Sequence, residues 1–219
     1  MREVVLSIGE RLKGFLFSPS ETFDNSKDDT IGDAFKYFVV ILMIYALIIS
    51  VLVAVAFSLF ASMLGMLRIP MMALGAAVGP LFAVGFFILM LVSGIISVFI
   101  GGLWLHIWVC LFGGREGVEE TLKAVMYGAT PGCLFGWIPL VGILALIWSV
   151  IVEIIGVRQL HGLSTEKAVL AVIIAIAIPL IIYAVIIAAF MVTMPGPGLG
   201  PGPGLGPGPG LGPGHMIRP

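Results

Sequence analysis

The chain has 219 residues, 60% of them apolar and only 11% charged, with 11 basic and 12 acidic side chains. Soluble domains average about 45–50% apolar and about 25% charged residues, so this balance excludes a water-soluble globule, a soluble enzyme and a small disulfide-stapled domain. A net charge of −1 offers nucleic acid no basic surface.

The charges cluster, leaving charge-free tracts at 37–67, 69–114, 124–152 and 168–217. Apolar runs of about 18 residues or more read as membrane-spanning helices. Strands of a β-barrel would instead alternate apolar and polar residues. The expected fold is all-α, a polytopic bundle of transmembrane helices with lipid as its first partner. It has three parts: an amphipathic segment at 1–29, a transmembrane domain at 30–193 and a disordered tail at 194–219.

In chain order, residues 1–17 predict an amphipathic helix. Val4, Val5, Ile8, Leu12, Phe15 and Leu16 share one face, while Glu3, Ser7, Glu10, Arg11 and Lys13 share the other. Such a helix lies either in the headgroup plane or against the cytosolic ends of the bundle. No cleavable signal peptide is expected, because the first apolar tract follows charged residues and exceeds an h-region in length. Ser18-Pro19-Ser20-Glu21 reads as a helix start, with Ser18 as N-cap, Pro19 at the first position and Glu21 closing a capping box. Thr30 and Asp33 predict the cap of a first long helix that ends near Leu67.

Loop charge sets the number of spans, since lysine and arginine concentrate in cytoplasmic loops. Five spans (36–67, 81–112, 118–138, 140–160 and 168–193) with the N-terminus inside place 9 basic residues inside and 2 outside. Four spans, with 118–138 not crossing, give 8 to 3, and six give 6 to 5. Five is therefore the expectation and four the alternative, with the C-terminus outside.

Within 118–138, small residues recur every fourth position at Ala124, Gly128, Gly132 and Gly136. Such a ridge lets helix backbones approach closely in lipid. A helix enclosed by others need not be strongly apolar, which would account for its weak hydropathy. Matching ridges at Ala46, Ser50, Ala54, Ser58 and Ser62, and at Ser93, Ser97 and Gly101, are expected to face it. From Pro195 a Pro-Gly-Pro-Gly-Leu-Gly unit repeats three times, a composition that supports neither helix nor strand.

Two intramembrane polar residues are candidates for function. Glu153 lies about 10 Å from the cytosolic end of its span at about 1.5 Å per residue; it would pair with Arg158 or His161, or serve an ion pathway. His106 stands four residues before Cys110 on one helix face. Two ligands do not close a metal site unless Cys133 joins them, so His106 is read as an interfacial histidine beside Trp104 and Trp108, and no metal or cofactor is expected. Cys110 and Cys133 read as buried packing thiols. No catalytic motif is present, so catalytic residues are expected to be none.

Gly113-Gly114, Lys123-Ala124-Val125-Met126-Tyr127-Gly128-Ala129-Thr130-Pro131, Ile138-Pro139, Trp148, Gly156 and His161-Gly162-Leu163-Ser164-Thr165-Glu166-Lys167-Ala168 follow Ser18-Pro19-Ser20-Glu21-Thr22-Phe23. In this order they resemble the Yip1-domain family, especially its prokaryotic members, over about 12–192. The resemblance implies five spans, a cytosolic N-terminus, self-association and, for eukaryotic relatives, vesicle traffic and binding of Rab-type GTPases. The long N-terminal region and the Asp-Leu-Tyr-Gly-Pro motif of those relatives do not occur in this sequence, so GTPase binding is not expected to carry over. Tyr127, Gly128 and Pro131 do carry over, as a helix kink where the tyrosine hydroxyl would meet a freed carbonyl. Ser164 would cap the last span.

Overall fold

The computed structural model describes residues 7–66 and 73–193, with side chains left undescribed at 65–66 and 73–80. The sequence expectations for residues 1–6 and for the Pro-Gly tail fall outside the described residues. Every regular element described is an α-helix: α1 (Ile8–Phe17), α2 (Pro19–Asn25), α3 (Ile31–Met66), α4 (Ala73–Leu111), α5 (Val118–Gly128), α6 (Thr130–Phe135), α7 (Val141–Leu160) and α8 (Thr165–Thr193). The chain divides into two compact units, Met1–Ala177 and Ile178–Pro219. The described part of the second unit is the end of α8, whose Leu180, Ile182 and Phe190 are exposed.

Local chemistry sets the helix starts. Ser7 and Glu10 form a reciprocal capping box at α1. Thr30 and Asp33 form a second at α3, with the Asp33 amide donating to Thr30 Oγ1 over 3.2 Å and the Thr30 amide to Asp33 Oδ2 over 3.3 Å. Ser18 and Pro19 do open α2, but the expected box with Glu21 is absent because Ser18 makes no side-chain cap bond. Instead its carbonyl accepts from Thr22 Oγ1 at 2.8 Å. At the end of α4, Gly113 adopts φ +99° and the Gly114 amide donates back to the Val109 carbonyl, the left-handed termination that glycine permits. Between α6 and α7 the chain turns at Leu140, φ +66°, where the Val141 amide donates to the Pro139 carbonyl at 2.8 Å in a strained γ-turn.

Four helices are long and apolar enough to cross a membrane: Ile31–Leu64, Leu81–Leu111, Val141–Leu160 and Thr165–Thr193. The expected span 118–138 is instead two shorter helices, α5 and α6, broken at Ala129. Its weak hydropathy has the anticipated cause: Thr121 to Ala124 and Met126 to Gly128 are all buried in the bundle.

The ridge of small residues faces α7. A Cβ on Gly128 would stand 3.0–3.2 Å from Glu153 Cβ, Cα and N, and one on Gly132 would stand 3.0 Å from Ser149 Oγ. Gly136 ends α6 with its amide on the Gly132 carbonyl. The partner ridges differ from expectation. Ser93, Ser97 and Gly101 point outward, whereas Gly94, packed on Leu42, and Gly102, packed on Leu122, point inward one position later. On α3, Ala46 and Ser50 are buried, but Ser58 and Ser62 are exposed and donate to carbonyls of their own helix. Spacing alone names a stripe but not its azimuth; the bulk of neighbouring leucines and valines decides that.

Candidate functional site: a polar clamp on an aromatic core

The polar residues of the first unit meet where α1, α2 and the 26–30 loop pack on α3, α5 and α7. Arg11 faces inward at 6% exposure. Its guanidinium makes a two-armed ion pair with Asp29, in which Nη2 donates to Oδ1 at 2.9 Å and Nη1 to Oδ2. Nη1 also donates to Tyr127 Oη at 2.6 Å, and Tyr127 Oη in turn donates a hydrogen bond to Asp29 Oδ2 at 2.5 Å. Burial alone would lower the Arg11 pKa, but the hydrogen bond to Asp29 and the negative charges of Asp29 and Asp33 hold it above its ordinary value. Beside this ring, Lys123 is 2% exposed. Its ammonium has three protons and three acceptors: the Lys27 carbonyl at 3.1 Å, the Asp29 carbonyl at 3.0 Å and Glu120 Oε1 at 2.7 Å.

Under the clamp lies an aromatic cluster. Phe15 stacks on Tyr127 with ring centroids 4.5 Å apart and meets Phe23 edge-on at 4.9 Å, while Tyr37 stands 5.5 Å from Tyr127. Phe23 also covers Gly156, where an added Cβ would come within 2.6 Å of its Cζ. Two further bonds tie down the N-terminal segment: Trp148 Nε1 donates to the Leu16 carbonyl at 3.0 Å, and Gln159 Nε2 donates to Ser20. The structure packs α1 against the bundle through Arg11, Phe15 and Leu16.

The expected kink chemistry is corrected in its details. Pro131 has no N–H, so the carbonyl of Tyr127, four residues back, loses its helical donor. Thr130 Oγ1 fills that vacancy at 2.7 Å. Since this takes the one Thr130 proton, Tyr37 Oη donates to Thr130 Oγ1 across 3.1 Å. The Tyr127 hydroxyl, assigned by sequence to the freed carbonyl, serves the Arg11–Asp29 pair instead.

Glu153 reaches neither Arg158, which donates to Thr165, nor His161, which bonds Thr121. It packs on Gly128, and among the described residues no hydrogen bond or ion pair engages its carboxylate. His106 bonds Thr121 at 2.8 Å and Cys110 Sγ at 3.3 Å. Trp104 likewise does more than line an interface: its Nε1 donates to the Ala175 carbonyl of α8. Cys110 is exposed rather than buried. No group of three or more metal-ligating side chains occurs among the described residues.

The sequence reading missed Arg11, Asp29, Lys123 and Thr121. Apart from Glu120, three residues before Lys123, their partners stand 15 to 116 positions away, and no local spacing records such pairings.

The Yip1 domain family matches residues 13–188. The chain belongs to the Yip1 family. It is an integral membrane protein of the Yip1 type, and the match covers the clamp's Asp29, Lys123 and Tyr127 as well as the α5–α6–α7 unit. No curated protein and no solved structure matches the chain. In this Yip1 domain, Tyr127-Gly128 and Pro131 mark the point where the N-terminal segment, the broken helix and α7 meet.

Proposed function

We propose that this chain is a non-catalytic Yip1-type scaffold or adaptor, which gathers other membrane proteins and copies of itself in a prokaryotic cell membrane. The observation that carries the reading is the clamp. Arg11, Asp29, Lys123 and Tyr127 satisfy one another and fix the N-terminal segment to the bundle. Polar chemistry at this end thus builds shape rather than converging on a cleft. The reading is also supported by an apolar groove of about 320 Å³ between α3 and α4, lined by Leu47, Val51, Val55, Val84 and Phe87 with Ser50, Ala54 and Ala83 between them, a recess into which a partner helix could pack in lipid.

The same reading takes the chain through the bilayer five times. Gly128 lies beside Glu153, and Gly132 beside Ser149. This pairing supports α5–α6 and α7 crossing together, joined by α3, α4 and α8. The 9-to-2 division of basic residues favours a cytoplasmic N-terminus and an external C-terminus. Cross-linking in native membranes followed by pull-down tests the proposal. A discrete set of membrane proteins, including the chain itself, is the expected result, and recovery of no partner at all would contradict it.

A second reading, a small channel or transporter for protons or cations, is favoured by Glu153, which has no hydrogen-bond or ion-pair partner among the described residues. Flux in reconstituted vesicles that disappears in Glu153→Gln would replace the scaffold with this reading.

A further inference from the structure

Where α4 and α7 end and α5 begins, a second hydrogen-bonded cluster plays no part in the clamp. Thr121 is fully buried on α5. Its hydroxyl oxygen lies 2.8 Å from His106 Nδ1 on α4 and 2.9 Å from His161 Nε2 at the end of α7. A hydroxyl has one proton, so between two neutral rings it accepts from one and donates to the other.

His161 decides the direction. The residue is 6% exposed, and its buried Nδ1 has no hydrogen-bond partner. An unpartnered N–H there would be an unsatisfied buried donor, so the ring proton belongs on Nε2, which donates to Thr121. Thr121 then donates to His106 Nδ1, and His106 keeps its proton on Nε2, 3.3 Å from Cys110 Sγ. These tautomers are assigned from the bonding network. They form a one-way chain from α7 through α5 to α4.

An additional proton finds no place at His161. Its one vacant nitrogen faces Gly114, where an added Cβ would stand 3.3 Å from Nδ1. The titratable surroundings offer it no counter-charge. From α4 come His106 and Cys110. On α5, Lys123 and Glu120 pair with each other, and Lys123 faces the N-terminal segment. On α8, the Lys167 ammonium reaches to 3.7 Å from a Cβ built on Gly113. Arg158, on α7 itself, donates to Thr165. Burial, and then the nearness of His106, hold the His161 pKa down to about 4.

We propose that the His106–Thr121–His161 bridge is a proton-operated latch, which ties the ends of α4, α5 and α7 while both rings are neutral and releases them when His161 is protonated. The sign follows from linkage. The unfolded chain, with a histidine value of 6.5, binds the proton more readily than the folded one. The latch's contribution is therefore complete above the unfolded value and is lost as the pH falls toward about 4.

Thermal unfolding of the full chain in detergent, between about pH 7.5 and about pH 4.5, tests this against His161→Gln. Glutamine Nε2 can donate to Thr121 in place of the imidazole, but it does not titrate across this range. The expected result is a Tm that falls by several degrees with acidification in the parent chain and much less in His161→Gln. An equal fall in both overturns the proposal. Nitrogen NMR of histidine-labelled parent protein decides the matter independently, should the variant fail to fold. A His161 that stays neutral with its proton on Nε2 well below the ordinary histidine midpoint supports the latch; titration at about 6.5, or a proton on Nδ1 at neutral pH, overturns it.

Discussion

Helices α4 and α5 are built on opposite rules. α4 runs for 39 residues with no charged side chain, yet much of it faces outward, including Ile88, Leu89, Val92, Ile96 and Ile100. α5 has 11 residues, among them Glu119, Glu120 and Lys123, and it is buried for most of its length. In water that order would be reversed. Here the outside is hydrocarbon, so apolar side chains gain little by leaving it, while polar ones gain by finding each other. Burial in this molecule follows pairing and close approach rather than hydropathy.

That contrast can be broken most severely at the clamp. Asp29→Ala leaves the Arg11 guanidinium buried without its carboxylate, and a loss of about 3–5 kcal/mol is expected in unfolding measurements in mild detergent. Combining it with Arg11→Met should recover much of the loss, because the unpaired charge is removed as well. Gly156→Val drives a side chain into Phe23 and Ala124; overpacking of about 1–3 kcal/mol is expected, read as a lower midpoint in the same assay. Tyr127→Phe deletes the hydroxyl that joins Arg11 to Asp29 and should cost about 1–2 kcal/mol, with the aromatic stack left in place. At the other pole, Leu89→Ala on the exposed side of α4 should stay within about 0.5 kcal/mol. A large effect there, matched by a small one at Asp29, would invert the comparison.

The sequence disclosed one side of this contrast better than the other. Charge-free tracts located α3, α4 and α8, and α7 by an apolar run interrupted only at Glu153 and Arg158, because a bilayer constrains composition over many consecutive residues. The Thr30–Asp33 cap was readable because both halves lie within one turn. The stripe through Gly128 and Gly132 was visible too, although its facing partner, α7, was not. The clamp was hidden. Arg11 sits among polar residues on an amphipathic pattern and reads as solvated, yet its partners are Asp29 and Tyr127, which become neighbours only after α3 to α5 have packed. The two histidines are likewise 55 positions apart and meet only through Thr121.

The anchoring of the first helix pair bears on the order of biosynthesis. The Leu16 carbonyl waits for Trp148 and Ser20 waits for Gln159, residues synthesised more than a hundred positions later. Until that part of the polypeptide leaves the ribosome, these two anchors of the N-terminal segment lack their donors. A nascent chain halted before Trp148 would leave the Leu16 carbonyl and Ser20 without the bonds that anchor them to α7. Closure of the N-terminal segment is thus a late event, completed only when nearly three quarters of the protein has been made.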